Sequence, residues 1–509
     1  MYNLYELSKA TNRSEHRVSS SLGFTLSELD PIARGLVTLV EGEGLFQRFK
    51  KNIHSLLWGG VLLPHPDFAQ VRKSSAILTS AILAIGALHA PEGGGQGVLQ
   101  KCYDTFIVLA KGSCFSRNNS LDDIRALCLA AFYLPNLSWR LCGQAMRIGA
   151  EMNLHQSFNK LVQGDLRQIE RIRLWYALFL CDRHFGIAYG RPTAMPNDAA
   201  IEGVFKLPQC PNAVPGDVRL AAHVALFKIV SDAYTEYGCD QSLPLSDYQL
   251  DKLRAYNVAI EQWRLYWEPQ SNDAEEIGSY PSKSLVLYYH FARFQLHTMA
   301  LRGVQWPGDG EISLSRREAT MSAISAAMST LVHIICEADI RRALNGVPLF
   351  THTMVAFCAT FLLKVAAMWT HGREQMWKQL GLGFNPHEAL SLASQSTDLL
   401  SGLAGEVSEK HVTRLIVVGI EEMIQRVKQM LASNASASGP CSTFNVERDP
   451  HFQADPQLVD QAAAPARDIN TVLSQHDMDF SNLGGWLEFP LDQNFDIFGN
   501  GYDPWAFPI

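Results

Sequence analysis

Closely spaced cysteines are missing from this sequence. Ten cysteines are present among 509 residues, at positions 102, 114, 128, 142, 181, 210, 239, 336, 358 and 441, and no two lie closer than twelve residues. A binuclear zinc cluster or a zinc ribbon wraps its metal in one short loop, with ligands about two to four residues apart. No such spacing is present, so no metal ligands are assigned. Most of the cysteines sit in apolar runs such as 126–132 and 356–363, where the residue behaves as a small buried hydrophobe.

Charge is sparse and unevenly placed. Charged residues make up 18% of the chain and the formal net charge is −8. Between Asp468 and Ile509 there are seven acids and no Lys or Arg, which leaves −1 for everything before that segment. A near-neutral body lacks the basic excess of a dedicated nucleic-acid surface. Residues 1–20 are polar and hold no continuous apolar run, which argues against an export signal. The longest apolar stretches are Ala76–Leu88, too short to span a bilayer, and Thr353–Trp369, interrupted by Lys364. A soluble intracellular protein without a membrane partner is expected.

Catalytic signatures are lacking too. There is no G-x-S-x-G elbow, no G-x-x-x-x-G-K phosphate loop and no H-E-x-x-H. The run from Gly93 to Gly97 lacks dinucleotide spacing and reads as a loop between helices. An all-helical diphosphate enzyme needs clustered carboxylates for its magnesium ions. Asp122 and Asp123 are followed by Ala126 where a third acid would be required, so they read as first-turn acids of a helix, where the dipole favours them. His352 and His371 read as ordinary packing or surface residues. No catalytic or cofactor-binding residue is assigned, and the chain is not expected to be an enzyme.

What is present is helical period. Leu137, Leu141, Ala145, Ile148 and Met152 form one apolar stripe, with Arg140, Gln144, Arg147 and Glu151 opposite. The segment 175–181 is apolar at every position, which places its helix at the centre of the body, and Gly190-Arg191-Pro192 stops it. Further helices are expected over 35–57, 72–89, 98–112, 121–133, 217–237, 246–267, 280–303, 314–344, 348–371, 387–404 and 406–431. The fold class is all-α. Four zones follow: a polar lead-in over 1–24, expected to be disordered; a multi-helical body over 25–431; a Ser-, Ala- and Pro-containing linker over 432–467; and the acidic tail over 468–509.

The tail is aromatic as well as acidic. Eight of its last thirty residues are aromatic, among them Trp486, Phe489, Phe495, Phe498, Trp505 and Phe507, and Leu487 lies between Trp486 and Glu488. Like charges resist collapse and keep such side chains in water, ready to bury in a partner's groove through weak, exchangeable contacts. Transcriptional activation segments have this composition, and coactivators are the partners expected. The competing reading docks the tail on the body's own apolar surface.

Residues 138–155, Ser-Trp-Arg-Leu-Cys-Gly-Gln-Ala-Met-Arg-Ile-Gly-Ala-Glu-Met-Asn-Leu-His, together with Arg173–Arg183 and Tyr189–Pro192, resemble the two signatures of the fungal-specific transcription factor domain. The stretches 35–49 and 72–78 are similar to the start of that domain, especially in the branch of regulators of extracellular protease genes and of weak-acid resistance. The resemblance spans about residues 30–431. It implies a nuclear, all-helical regulatory domain acting on RNA polymerase II promoters, with secondary metabolism, nutrient use and stress response open as pathways. It implies homo- or heterodimerisation and a small-molecule effector as possible partnerships. The family's zinc cluster and basic linker are not in this sequence, so zinc is expected only with a cluster upstream of it. Promoter DNA would then be reached through a missing domain or a partner; the alternative is a non-DNA-binding or inhibitory module paired with a complete factor. Among the signature positions, Trp139, Arg147, Trp175, Asp182, Arg191 and Pro192 are expected to hold the body together, with Arg147, Asp182, Arg183 and Arg191 as a buried ionic network.

Overall fold

A computed structural model describes residues 30–91, 96–116, 118–238, 243–302, 313–370 and 384–437. The lead-in, most of the linker and the whole acidic tail lie outside the described residues. Within them the architecture is all-α, with no strand and one isolated antiparallel bridge between Ala274 and Gly278.

The chain runs through α1 (Leu39–Phe49), α2 (Phe68–Ser74), α3 (Ala76–Leu88), α4 (Gln96–Ser113), α5 (Leu121–Tyr133), α6 (Ser138–Glu151), α7 (Ser157–Val162), α8 (Ile169–Ala188) and α9 (Ala199–Glu202). It continues through α10 (Pro215–Tyr237), α11 (Asp247–Trp267), α12 (Tyr280–Thr298), α13 (Leu314–Cys336), α14 (Ala338–Ala343), α15 (Leu349–Thr370), α16 (Pro386–Ala404) and α17 (Val412–Ala437). Sequential neighbours pair, as in α3 with α4, α5 with α6, α12 with α13 and α16 with α17.

Helices α3, α8 and α15 are the interior. Every residue of α3 is buried, and so is every residue of α8 from Ile172 to Ala188, as its all-round apolar sequence requires. Helix α15 is long and apolar enough to cross a membrane by composition, but 94% of that window is packed inside the body. Helix α13 passes the same test with half of its window buried.

Local chemistry sets the boundaries. Residues 72–89 do not form one helix: Ser75 is extended (φ −157°, ψ 121°) and its hydroxyl caps the Leu78 N–H, so α2 and α3 meet at a corner. Glu337 (φ −81°, ψ 112°) divides the expected 314–344 helix in the same way. Asp123 closes a capping box with Ser120 at the start of α5, confirming the first-turn reading of the two aspartates. Helix α17 starts at Val412 rather than 406 and runs to Ala437, past the expected start of the linker. Helices α7 and α9 are too short for period to show them.

The stretch after α1 continues as a π-helix over Lys50–His54 and then turns through three left-handed residues, Trp58 (φ +50°), Gly59 (φ +65°) and Gly60 (φ +75°). A tryptophan there costs about 1–3 kcal/mol and persists only where its surroundings hold it. The turn is gripped from the core: Arg219 donates to the carbonyls of Ser55 (3.3 Å) and Leu56 (2.8 Å), and Arg125 donates to that of Leu62 (2.8 Å). The Trp58 indole N–H donates to His223 Nδ1 at 2.7 Å.

Gly346 packs against the same segment, and a Cβ there would run into the Asn52 carbonyl oxygen. Because the obstacle is backbone, Gly346→Ala should destabilise the body by about 1–3 kcal/mol. Urea unfolding checks this; an unchanged midpoint would mean that the two segments do not touch so closely.

Candidate functional site

The two signature segments meet around α8 and the loop that follows it. Asp182, fully buried, accepts the backbone N–H groups of Ala194 (3.0 Å) and Met195 (3.0 Å) and pairs with Arg183 at 2.5 Å. Arg183 in turn donates to the Met195 carbonyl at 2.7 Å. Residues 194 and 195 are thereby fastened to the helix that precedes them. Trp175 is 5% exposed and donates from its indole nitrogen to Asp198 at 2.9 Å, at the start of α9.

Trp139 is half-buried. The Arg191 guanidinium lies 5.1 Å from its ring centroid and 5.0 Å from that of Tyr189, a cation–π contact with two rings set edge to face at the edge of the core. Pro192 is exposed, and so is Arg147 on the outer face of α6. The expected four-membered network is therefore corrected. Only Asp182 and Arg183 pair; Arg191 binds aromatic faces, and Arg147 points to solvent.

A different ionic chain occupies the core. Asp217 of α10, fully buried, takes both arms of Arg173 at 2.8 and 2.7 Å. Arg173 also reaches Glu170 (2.6 Å), Glu170 reaches Arg125 (2.9 Å), and Arg125 reaches Asp122 (2.6 Å). Asp122 further meets His65 at 3.2 Å and the Ser74 hydroxyl. Bidentate and charge-assisted contacts of this kind are the strong ones, and here they tie α10, α8, α5 and the α2 corner together. Sequence reasoning missed the chain because its links between helices, Arg173 to Asp217 and Arg125 to Glu170, span 44 and 45 residues. A signal existed in the charged residues Asp122, Arg125, Glu170, Arg173 and Asp217 at the margins of apolar runs.

Histidine is the other unusual core component. His89, His352 and His411 are buried with ring centroids 4.8 Å (His89–His411) and 5.3 Å (His352–His411) apart. His184 stacks on Phe350 at 4.1 Å with the rings 7° from parallel, and His223 lies 4.2 Å from Tyr288. Burial pushes His89 and His352 down to about 4 and His184 to about 3, and holds His223 and His411 well below the usual imidazole range, so all five are neutral at pH 7. His352 is thus a core residue; His371 lies outside the described residues.

Among the described residues no group of three or more His, Cys, Asp or Glu side chains is placed to hold a metal ion. Cys102, Cys128, Cys142, Cys181 and Cys358 are buried free thiols, and burial pushes Cys102 up to about 12. Among the described residues are two surface grooves. One, of about 470 Å³, runs along α13 and is lined by Met321, Met328, Val332 and Cys336 with His290 and His333 at its side. The other, of about 500 Å³, lies between α16 and α17. The aromatic positions Trp486, Phe489, Phe495, Phe498, Trp505 and Phe507, with Leu487 among them, lie outside the described residues.

Residues 47–264, which contain both signature segments and the ionic chain, match the fungal specific transcription factor domain. Over 446 residues the chain is 41% identical to the transcriptional activator of proteases prtT of Emericella nidulans, an overlap that covers 86% of this chain and 66% of that protein. An uncharacterized transcriptional regulatory protein of Schizosaccharomyces pombe is 24% identical over 127 residues, covering 24% of this chain and 20% of its own length. The chain thus spans just under two thirds of the first relative and a fifth of the second.

Proposed function

Because residues 47–264 form a fungal-specific transcription factor domain, we propose that this protein is a nuclear transcriptional activator of RNA polymerase II genes, with protease genes as its targets. The observation that carries the reading is the 41% identity to a transcriptional activator of proteases across most of the chain. It favours nutrient use over secondary metabolism or stress response as the pathway. The helical body is the regulatory part, and the tail over 468–509 recruits coactivators. Promoter DNA is reached through a segment outside this sequence or through a partner chain. That the body is a regulator rather than an enzyme is supported by the family match and by the relatives, which are transcriptional regulators.

Two experiments test this. Deleting the gene should lower secreted protease transcripts when protein is the nitrogen source; unchanged transcripts would remove the target assignment. Joining residues 468–509 to a heterologous DNA-binding domain should activate a reporter. Replacing Trp486, Phe489 and Trp505 by alanine should then cut activation at least several-fold. A silent fusion, or activation indifferent to the three aromatics, would sink the role given to the tail.

A second reading, a module that pairs with a complete factor, rests on the absence of zinc-ligand spacing in these 509 residues. Genomic sequence just upstream separates the two. An in-frame C-x2-C-x6-C pattern supports the activator acting directly, and its absence supports the paired module.

A further inference from the structure

Four arginines on α5, α8 and α10 lie deep in the body, and three of them hold carboxylates. Arg125 pairs with Asp122 and Glu170, Arg173 with Asp217 and Glu170, and Arg183 with Asp182. Arg219 on α10 is as deeply buried, at 3% exposure, yet among the described residues no carboxylate approaches it within ion-pair distance. Its terminal nitrogens donate to the Ser55 and Leu56 carbonyls, its guanidinium lies 5.0 Å from the Tyr280 ring centroid, and its Nε–H has no acceptor among the described residues. It also hydrogen-bonds the Tyr280 hydroxyl, and its electrostatic neighbours are the phenols of Tyr133, Tyr280 and Tyr288, none of which supplies a negative charge at neutral pH.

One helical turn further along α10, His223 adds a second donor without an acceptor. An indole nitrogen can only donate, so the Trp58 contact at 2.7 Å requires the lone pair of His223 on Nδ1 and its proton on Nε2. Among the described residues that Nε2–H has no partner, and the hydroxyl of Tyr133 has none either. Both ring nitrogens of His184, in the same aromatic cluster across Tyr288 (6.2 Å), are also unpartnered. Buried polar groups are almost always satisfied, and those that are not point to a bound water or ion. Here the unmet groups include two or three donors on residues that interact electrostatically with one guanidinium that no carboxylate neutralises. Water satisfies donors, but it does not neutralise a buried guanidinium, which is far costlier to leave uncompensated.

We propose that Arg219, His223 and Tyr133 form a site for one small monovalent anion at the centre of the body. The occupant accepts from the Arg219 Nε–H, the His223 Nε2–H and the Tyr133 hydroxyl. It is small, because the surrounding rings pack closely, with His223–Tyr288 centroids at 4.2 Å, and because neither described surface groove is lined by a residue of the cluster. A halide, nitrate or short carboxylate shares this chemistry. The site joins α10 and α5 to the left-handed turn over Trp58–Gly60, so occupancy would stiffen the junction between the amino-terminal segment and the helical core. It is independent of whether the tail activates transcription.

The test uses the purified full chain at constant ionic strength, with chloride, nitrate or acetate replacing the bulky anion gluconate step by step. The melting temperature should rise saturably with at least one of the small anions, and the comparison of chloride with acetate separates an inorganic from a carboxylate occupant. Arg219→Met should abolish the dependence, and Tyr133→Phe should weaken the apparent affinity several-fold while leaving the fold intact. Should Arg219→Met fail to fold, Tyr133→Phe and a bromide-soaked crystal carry the test, with an anomalous peak expected beside the guanidinium. Identical melting in chloride, nitrate, acetate and gluconate would overturn the proposal, as would an unchanged anion response in Tyr133→Phe together with a bromide-free centre. An anion response that survives in a folded Arg219→Met protein would mean an adventitious ion only.

Discussion

Lowering the pH from 7.5 to 5.5 should bring the helical body close to unfolding. Burial lowers His54, His89, His290, His297 and His352 to about 4 and His184 to about 3, against an ordinary value of 6.5. A histidine depressed in the folded state is neutral there while its unfolded counterpart takes up a proton. Its contribution to stability is therefore complete above about pH 6.5 and is lost as the pH falls from there towards the folded value. Each such group costs up to about 1.4 kcal/mol per pH unit in that window. Half of them acting in this way would remove about 4 kcal/mol by pH 5.5, close to the lower end of the stability of a typical domain. Asp123, raised by burial, opposes the trend, but it is one group against many. Urea midpoints at pH 7.5, 6.5 and 5.5 check the expectation, together with proton uptake on unfolding. A midpoint independent of pH would show that these imidazoles are solvated in the native protein.

The second large effect belongs to Asp182. Its carboxylate is fully buried and satisfies two backbone amides and the guanidinium of Arg183, itself 3% exposed. Asp182→Ala strands a buried cation and two N–H groups, a loss of about 3–5 kcal/mol. Arg191→Ala removes a cation–π contact at the core's edge and should cost only about 0.5–2 kcal/mol. The ratio matters more than either figure. Equal losses, or a melting temperature untouched by Asp182→Ala, would mean that the loop after α8 is not fastened through this carboxylate.

Asp182 and Arg191 also mark where the order of residues along the chain stops being informative. The uninterrupted apolar run of α8 places that helix at the centre, because a helix apolar on every side must be covered on every side, and residues 172–188 are all buried. Asp122 and Asp123 are legible as first-turn acids for a similarly local reason. Charge pairing is not local. Asp182 and Arg191 stand in the right neighbourhood, yet Arg191 turns to Trp139 and Tyr189, while Arg173, one charge at the edge of an apolar signature, finds Asp217 across 44 residues. Period reports which face of a helix is wet; it says nothing about which helix lies opposite. Arg219 and His223 are silent for the same reason, since each is one polar residue in an apolar helix until Trp58 and Leu56 are brought beside it.

The grip of α10 on the amino-terminal turn sets a schedule for the newly made chain. The carbonyl of Leu56 waits for Arg219, 163 residues later, and the indole of Trp58 waits for His223, 165 residues later. At a ribosomal pace of about 5–20 residues per second, that interval is roughly 8–30 seconds. Until then the left-handed turn lacks its contacts with α10, and only partners made earlier, such as Arg125 on the Leu62 carbonyl 63 residues on, can hold it. How much active protein a cell obtains is then decided partly by whatever shelters that segment until α10 arrives.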